Sequence, residues 1–305
     1  MSEEVETAVL AAIDVGYRLI DTAAMYKNEE AIGRALKKYI DAGKIKREEL
    51  FIITKLPPHQ MRGSDVGHAL RLSLKKLQLD YVDLYLLHAP YGFENDGDEI
   101  FTPMNVDGSL KIDMTTNHES IWKAMEDQVI AGRAKAIGVS NFNEIQVKKL
   151  MEYCRIQPAC NQVELHAKFR QKQLTELCMK NNILMMAYAP IGSPGTAVKV
   201  EQVGLSTTLL PNLLNNSVVT SIANAHNKTA AQILLNHLLG SGVIVIPKSV
   251  KPQRITENFD VFDFALSDEE KSKLDKLDQG LHGRSFVFSY LVKGIEKHPE
   301  YPFEV

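Results

Sequence analysis

Two patterns of apolar positions alternate along the chain. Apolar residues recur at helical spacing in some stretches and form short continuous runs in others, which predicts helices alternating with buried strands. The predicted strands are Tyr17–Asp21, Leu50–Lys55, Tyr81–His88, Ala134–Val139, Ala159–Glu164, Ile183–Tyr188 and Val243–Pro247. The predicted helices between them are Glu4–Val15, Glu29–Tyr39, Ser64–Leu77, His118–Ile130, Glu144–Tyr153 and Gln171–Lys180.

Local signals mark the ends of several helices. The segment Glu29–Tyr39 begins with two glutamates, as suits the positive end of a helix dipole. Capping boxes are predicted at Thr229–Gln232 and Ser267–Glu270, and Pro252 is well placed to open a helix. Gly240 stands where a C-cap glycine belongs.

Two long stretches interrupt the alternation. Pro90–Asn117 is predicted to be a polar excursion, and Ile191–Pro211 is a second one. Connections of this length are usually functional or disordered, so we expect substrate specificity to depend on them.

Strands alternating with helices predict an α/β fold with a parallel sheet, either doubly wound or closed into a barrel. A doubly wound dinucleotide fold should show G-x-G-x-x-G after an early strand, and this motif is absent. Polar residues at the carboxyl ends of nearly every strand favour a barrel, whose active sites lie on that face. The 305 residues could form two average domains but also suit one barrel, and we expect a single domain over 1–305.

The composition limits the classes of partner that the chain is expected to bind. The net charge of -3 gives no global field for nucleic acid or an anionic membrane, and no run of 18 apolar residues occurs. The three cysteines have neither zinc-ligand spacing nor an even count, which predicts no metal site and a reducing, cytoplasmic compartment.

Candidate chemistry lies at the ends of the first three strands. Asp21 ends the first, Tyr26 follows in the next loop, and Lys55 and His88 end the second and third. Each residue alone has an ordinary explanation as a cap, a solvated cation or a core histidine. Together they are groups that a proton-transfer site could use.

Three motifs in order carry a resemblance to a known family: Gly16–Gly33, Lys135–Phe142 (KAIGVSNF) and Ile246–Asn258 (IPKSVKPQRITEN). With these residues, and with a similarity that continues to Tyr301-Pro302-Phe303, the chain resembles the monomeric NADPH-dependent aldo-keto reductases. The resemblance implies a (β/α)8 TIM barrel and reduction of a small-molecule aldehyde or ketone by hydride transfer.

The resemblance also implies roles for individual residues. The family's catalytic tetrad falls on Asp21, Tyr26, Lys55 and His88, with Tyr26 as general acid. An unperturbed tyrosine has a pKa of about 10, so we expect Lys55, held by Asp21, to lower it. His88 would donate a hydrogen bond to the substrate oxygen.

The NADPH/NADP site implied by the resemblance has two parts. Ser140, Asn141 and Gln162 would bind the nicotinamide carboxamide, Tyr188 would stack on its ring, and Ser193 follows in the next loop. The remaining residues would hold the 2'-phosphate and the adenine: Lys248, Ser249 and Arg254, with Lys251 as an extra cation, and then Glu257 and Asn258.

The sequence departs from the family at its start. The opening hairpin and first barrel strand are missing, so we expect an incomplete barrel, weaker NADPH binding and lower stability. Two alternatives stay open beside the enzyme. One is a cofactor-sensing regulatory module like the potassium-channel β subunits, and the other is an inactive truncated isoform.

Overall fold

The computed structural model describes residues 2–195, 211–286 and 294–303. Residues 196–210, which make up most of the second predicted excursion, therefore lie outside the described part of the chain. The chain divides into two compact units. The first comprises residues 1–161 with 287–305, and the second comprises residues 162–286.

Helices and strands alternate in the described residues as predicted. The strands are β1 (Leu19–Asp21), β2 (Phe51–Leu56), β3 (Val82–Leu87), β4 (Ala134–Ser140), β5 (Cys160–Glu164), β6 (Leu184–Tyr188) and β7 (Ile244–Val245), in that order in one sheet. The helices are α1 (Ser2–Val15), α2 (Glu29–Asp41), α3 (Gly63–Leu77), α4 (His118–Ile130), α5 (Glu144–Tyr153), α6 (Lys172–Lys180), α7 (Ser217–His226), α8 (Ala230–Leu239), α9 (Pro252–Phe259) and α10 (Asp268–Asp275).

The first unit contains a parallel sheet whose strands are buried on both faces. Strands β1 to β4 pair in parallel, with Ile20 opposite Ile52 and Leu56 opposite Leu87. All six residues of β3 are buried, which is what helical crossovers on the sheet require of an apolar strand. The carboxyl ends of β1, β2 and β3 consequently meet at one edge.

The connection between β3 and α4 is long and largely exposed as predicted, for example over residues 94–100, but a few of its residues are buried. Tyr91, Phe93 and Leu110 are buried and pack with Ala89 and Ile295 in one hydrophobic cluster. Polar residues dominate the composition of this stretch, so its few aromatic residues gave no periodic signal. These residues therefore anchor the connection to the first unit.

The local signals in the second unit are mostly confirmed. Thr229 and Ser267 each form the predicted capping box, and Pro252 is the first residue of α9. Gly240 is the C-cap of α8, but its φ of -63° is right-handed, and Gly242 has the positive φ of 75°. Strand β7 is two residues long where five were predicted.

None of the helices in the described residues has the length and apolar character that crossing a membrane requires.

Candidate active site

Three strand ends and one turn bring four predicted residues together in the first unit. Asp21 is the last residue of β1, Lys55 lies near the end of β2, and His88 directly follows β3. Tyr26 ends the short turn Ala24–Tyr26 that leads into α2. The parallel register thus places all four at the edge where barrel enzymes carry out their chemistry.

Lys55 is the centre of this cluster. Its residue exposure is 0%, and its Nζ donates to Asp21 Oδ1 at 2.6 Å and to the Thr22 carbonyl at 2.9 Å. The third contact is with the Tyr26 hydroxyl, 3.4 Å away. An ammonium group has three donors, so this environment matches its hydrogen-bonding capacity.

Lys55 stays charged despite its burial. Desolvation acts to lower the pKa of Lys55, but Asp21 and Tyr26 raise it, and the outcome is a pKa above the ordinary value. A buried cation next to a carboxylate and a phenol is therefore a permanent feature of the site at neutral pH.

Tyr26 differs from the expectation in the direction of its pKa. Burial of the hydroxyl raises the pKa of Tyr26, Lys55 lowers it and Asp21 raises it, and the sum lies above the ordinary value. The residue exposes 49% of its surface, so one side of the ring is open while the hydroxyl is enclosed beside Lys55. Lys55 acts in the predicted direction, but burial outweighs it and keeps the phenol protonated.

His88 packs edge-on against Tyr26. The two ring centroids are 5.4 Å apart with an interplanar angle of 86°. Burial lowers the pKa of His88 to about 3, and the nearby Lys55 charge acts in the same direction. The imidazole is therefore neutral near pH 7, and within the described residues its buried Nδ1 has no hydrogen-bond partner.

Ser140 is the last residue of β4, and Asn141 directly follows the strand and contacts His88. Asn141 Nδ2 donates to the His88 carbonyl at 3.0 Å and to Ser140 Oγ at 3.2 Å. Asn141 has a φ of 63°, a left-handed conformation that asparagine tolerates better than most residues. Both side chains are buried polar groups at a strand end.

In the second unit, two of the residues predicted near the nicotinamide lie on strands, Gln162 in the middle of β5 and Tyr188 at the end of β6. Gln162 is buried, and its Nε2 donates to Met186 Sδ at 3.0 Å. Tyr188 ends β6 and packs edge-on against Phe286, with ring centroids 5.8 Å apart. Ser193 has a left-handed φ of 51° in the loop that follows.

The residues predicted at the phosphate lie around the start of α9. Lys248, Lys251 and Arg254 are exposed, and within residues 211–286 neither Lys248 nor Arg254 forms an ion pair or a side-chain hydrogen bond. Ser249 Oγ accepts from the Lys251 amide at 3.1 Å. Cations without carboxylate partners at a helix start suit a phosphate, so this donor set fits NADPH.

The two residues predicted at the adenine lie in the last turns of α9. Asn258 is buried, and Glu257 Oε1 accepts from Gln253 Nε2 at 2.8 Å.

Three polar residues beside the cluster were not singled out from the sequence: Thr22, Glu29 and Thr54. Thr54 Oγ1 donates to Glu29 Oε1 at 2.6 Å, and both residues are buried. Thr22 Oγ1 donates to Asn28 Oδ1 at 2.6 Å. The sequence analysis explained Glu29 only as an acidic residue suited to the positive end of the helix dipole. The one feature of the sequence that could have indicated Thr54 was its position next to Lys55.

A parallel α/β sheet that ends in a phenol, a buried ammonium and a neutral imidazole defines a class of protein, an enzyme equipped for proton transfer. Comparison with known proteins then gives the family. The model of the aldo/keto reductase family matches residues 1–279, and the chain belongs to this family.

Relatives and solved structures agree with this assignment. Aldo-keto reductase family 1 member A1 from Bos taurus is 41% identical over 307 residues, covering 98% of this chain and 90% of the relative. The Danio rerio member A1-A is 39% identical over 307 residues, covering 98% and 91%.

Two solved structures share the fold. The aldose reductase of Schistosoma japonicum matches with a TM-score of 0.88 at 40% identity, covering 99% of this chain and 91% of that one. The Bombyx mori aldo-keto reductase in complex with NADP matches with a TM-score of 0.84 at 37% identity, covering 99% and 90%. The predicted fold class, an α/β fold of the TIM-barrel type, is confirmed.

Proposed function

We propose that this chain reduces small-molecule aldehydes or ketones to alcohols with NADPH, and that Tyr26 is the proton donor. Membership of the aldo/keto reductase family supports the reaction class. The observation that carries the residue assignment is the 3.4 Å separation between the Tyr26 hydroxyl and the fully buried Lys55 ammonium.

The cofactor would be held by both groups of polar residues described above. Ser140, Asn141 and Gln162 offer amide and hydroxyl groups for a carboxamide, and Tyr188 offers an aromatic face. Lys248, Ser249 and Arg254 would bind the 2'-phosphate. When bound, NADPH supplies the hydride that adds to the carbonyl carbon.

The chain's own residues handle the proton. Because burial keeps the pKa of Tyr26 above its ordinary value, the phenol carries its proton at neutral pH. As charge develops on the substrate oxygen, Tyr26 transfers this proton to it. The Lys55 ammonium then stabilises the phenolate that remains, and Asp21 holds the ammonium in place.

His88 positions the substrate in this proposal. Its pKa of about 3 makes it a neutral donor, so it can donate to the carbonyl oxygen without competing with Tyr26 as an acid. The edge-on packing against Tyr26 fixes the angle between the two donors.

We further propose that the protein works as a cytoplasmic monomer without nucleic-acid or membrane partners. The small net charge supports the absence of nucleic-acid and membrane partners, and the cysteine pattern supports a reducing compartment. The monomer is supported by the resemblance to monomeric aldo-keto reductases.

The proposal is tested by mixing the purified chain with NADPH and 4-nitrobenzaldehyde. We expect quenching of protein fluorescence on NADPH addition, followed by loss of NADPH absorbance and formation of the alcohol in equal amounts. Fluorescence quenching without turnover over a panel of carbonyls would favour the cofactor-sensing module instead. If neither fluorescence quenching nor turnover is observed, the proposal is contradicted altogether.

A further inference from the structure

The segment that carries Tyr26 is tied at both ends to consecutive residues of β2. At its start, the Thr22 amide donates to the Ile53 carbonyl at 2.9 Å. At its end, Glu29 Oε1 accepts from Thr54 Oγ1 at 2.6 Å. The next residue of β2 is Lys55, which donates to the Thr22 carbonyl at 2.9 Å. Three successive residues of one strand thus hold the ends of the turn that presents Tyr26.

Glu29 is not an ordinary acidic residue of a first helical turn. Its exposure is 2%, whereas its neighbour Glu30 is exposed and available to solvent near the helix start. A solvated glutamate suffices to favour a helix dipole, and burying a carboxylate carries a desolvation penalty. The burial of Glu29 therefore needs another reason.

The environment of Glu29 shows that the Thr54 contact is its main attachment. Thr54 has 0% exposure, and Glu29 Oε2 is buried without a hydrogen-bond partner among the described residues. Desolvation raises the pKa of Glu29, and the hydrogen bond from Thr54 is the largest of the effects that oppose it. A pair of apolar residues would fill this place without an unsatisfied oxygen.

Alternation along β2 connects this pair to the candidate active site. Successive strand residues point to opposite faces, so Thr54 points to α2 while Lys55 points to Asp21 and Tyr26. Thr54 and Glu29 can therefore set the position of the turn without touching the reacting groups.

We propose that Glu29 and Thr54 are positioning residues that fix the separation between the Tyr26 hydroxyl and the Lys55 ammonium. The 3.4 Å contact is at the long end of hydrogen-bond distances, so a small shift of the turn breaks it. The inference rests on the proposed function only for its effect on turnover, because the separation itself is a property of the free protein.

The test removes the Thr54 hydroxyl and measures Tyr26 directly. Thr54→Val keeps the side-chain shape, Thr54→Ser keeps the hydroxyl, and Thr7→Val makes the same hydroxyl-to-methyl exchange on an exposed site of α1. The readout in the free protein is the pH titration of the Tyr26 ring-carbon NMR signal, assigned with Tyr26→Phe. The second readout is kcat and KM with NADPH and 4-nitrobenzaldehyde.

Because Lys55 acts to lower the pKa of Tyr26, we expect Thr54→Val to move the titration to higher pH. We also expect kcat to fall about tenfold, since misplacement by a fraction of an ångström has that order of effect. The KM for NADPH should stay close to wild type, and Thr54→Ser and Thr7→Val should behave like wild type in both readouts.

An unchanged Tyr26 titration in folded Thr54→Val overturns the inference. A Thr54→Ser variant whose kcat falls as much as that of Thr54→Val overturns it as well. If Thr54→Val does not fold, Glu29→Gln and Glu29→Leu replace it. The glutamine keeps an acceptor oxygen and should titrate like wild type, whereas the leucine should shift the titration, and equal behaviour of the two overturns the inference. If wild type shows no turnover while the Tyr26 titration moves to higher pH in Thr54→Val, the proposed function is contradicted and the positioning role is supported.

Discussion

At the scale of single residues, the site is dominated by one buried ion pair. Lys55 has no exposed surface, and its Nζ lies 2.6 Å from Asp21 Oδ1. The identity and order of these residues could be predicted from the strand ends. The direction of the Tyr26 pKa could not, because it depends on how fully the hydroxyl is enclosed, and no local pattern encodes that.

The ion pair leads to a prediction about stability. Lys55→Met leaves Asp21 without its cation, and removing one partner of a buried pair is expected to lower the free energy of unfolding by about 3 kcal/mol. The double variant Lys55→Met/Asp21→Asn removes the uncompensated charge, so it should recover much of that loss. Urea unfolding measures the free energy of unfolding of both variants. A double variant less stable than Lys55→Met would contradict the prediction.

His88 predicts a dependence of stability on pH. Its pKa is about 3 in the folded chain and about 6.5 when unfolded, so the unfolded chain binds more protons between these values. The contribution of His88 is therefore fully present above pH 6.5 and is lost as the pH falls towards 3. At pH 5 the loss is about 2 kcal/mol.

The matched variant His88→Gln lacks this titration. Relative to His88→Gln, wild type should therefore lose about 2 kcal/mol of unfolding free energy between pH 7 and pH 5. A difference that is constant with pH would show that the folded-state pKa of His88 is not lowered.

At the scale of elements, periodic segments were predictable and irregular ones were not. The helices His118–Ile130 and Glu144–Tyr153 have the predicted bounds, because apolar periodicity and capping residues agree there. The packing of Tyr91 and Phe93 after β3 was missed, since it depends on Ile295, which lies far along the chain. Contacts that distant leave no local trace in a sequence.

The start of α9 predicts the preference between cofactors. Arg254→Leu removes an exposed guanidinium that is free of ion pairs in residues 211–286, so it should weaken NADPH binding about 10- to 100-fold. NADH lacks the 2'-phosphate, and its affinity should change little. Fluorescence titration with each cofactor gives the ratio of the NADPH and NADH dissociation constants.

The control for this change is Lys273→Leu, which removes a cation that pairs with Glu269 on α10. It should leave both affinities unchanged. Equal weakening of NADPH and NADH by Arg254→Leu would indicate that the guanidinium does not recognise the phosphate.

At the scale of the whole molecule, the family is firmly established while several predictions stay open. A single domain over 1–305, the residue roles, the monomeric state and the cytoplasmic location remain predictions. The described residues form two compact units, and the contacts among Asp21, Tyr26, Lys55 and His88 lie within the first of them.

The monomer prediction has a simple measurement. Sedimentation equilibrium of the purified chain should give the mass of one copy, 34.1 kDa, at all concentrations tested. A mass that rises to twice this value with concentration would show self-association.

The most direct test of the account compares two tyrosines that each lie near a lysine. Tyr26 has Lys55 Nζ 4.8 Å from its ring centroid, and Tyr81, at the opposite end of β3 from His88, has Lys135 Nζ at 4.2 Å. We expect Tyr26→Phe to lower kcat/KM for NADPH-dependent reduction of 4-nitrobenzaldehyde by about 10²- to 10⁴-fold. Tyr81→Phe should leave it close to wild type, and a Tyr26→Phe variant as active as Tyr81→Phe would contradict the role of Tyr26 as proton donor.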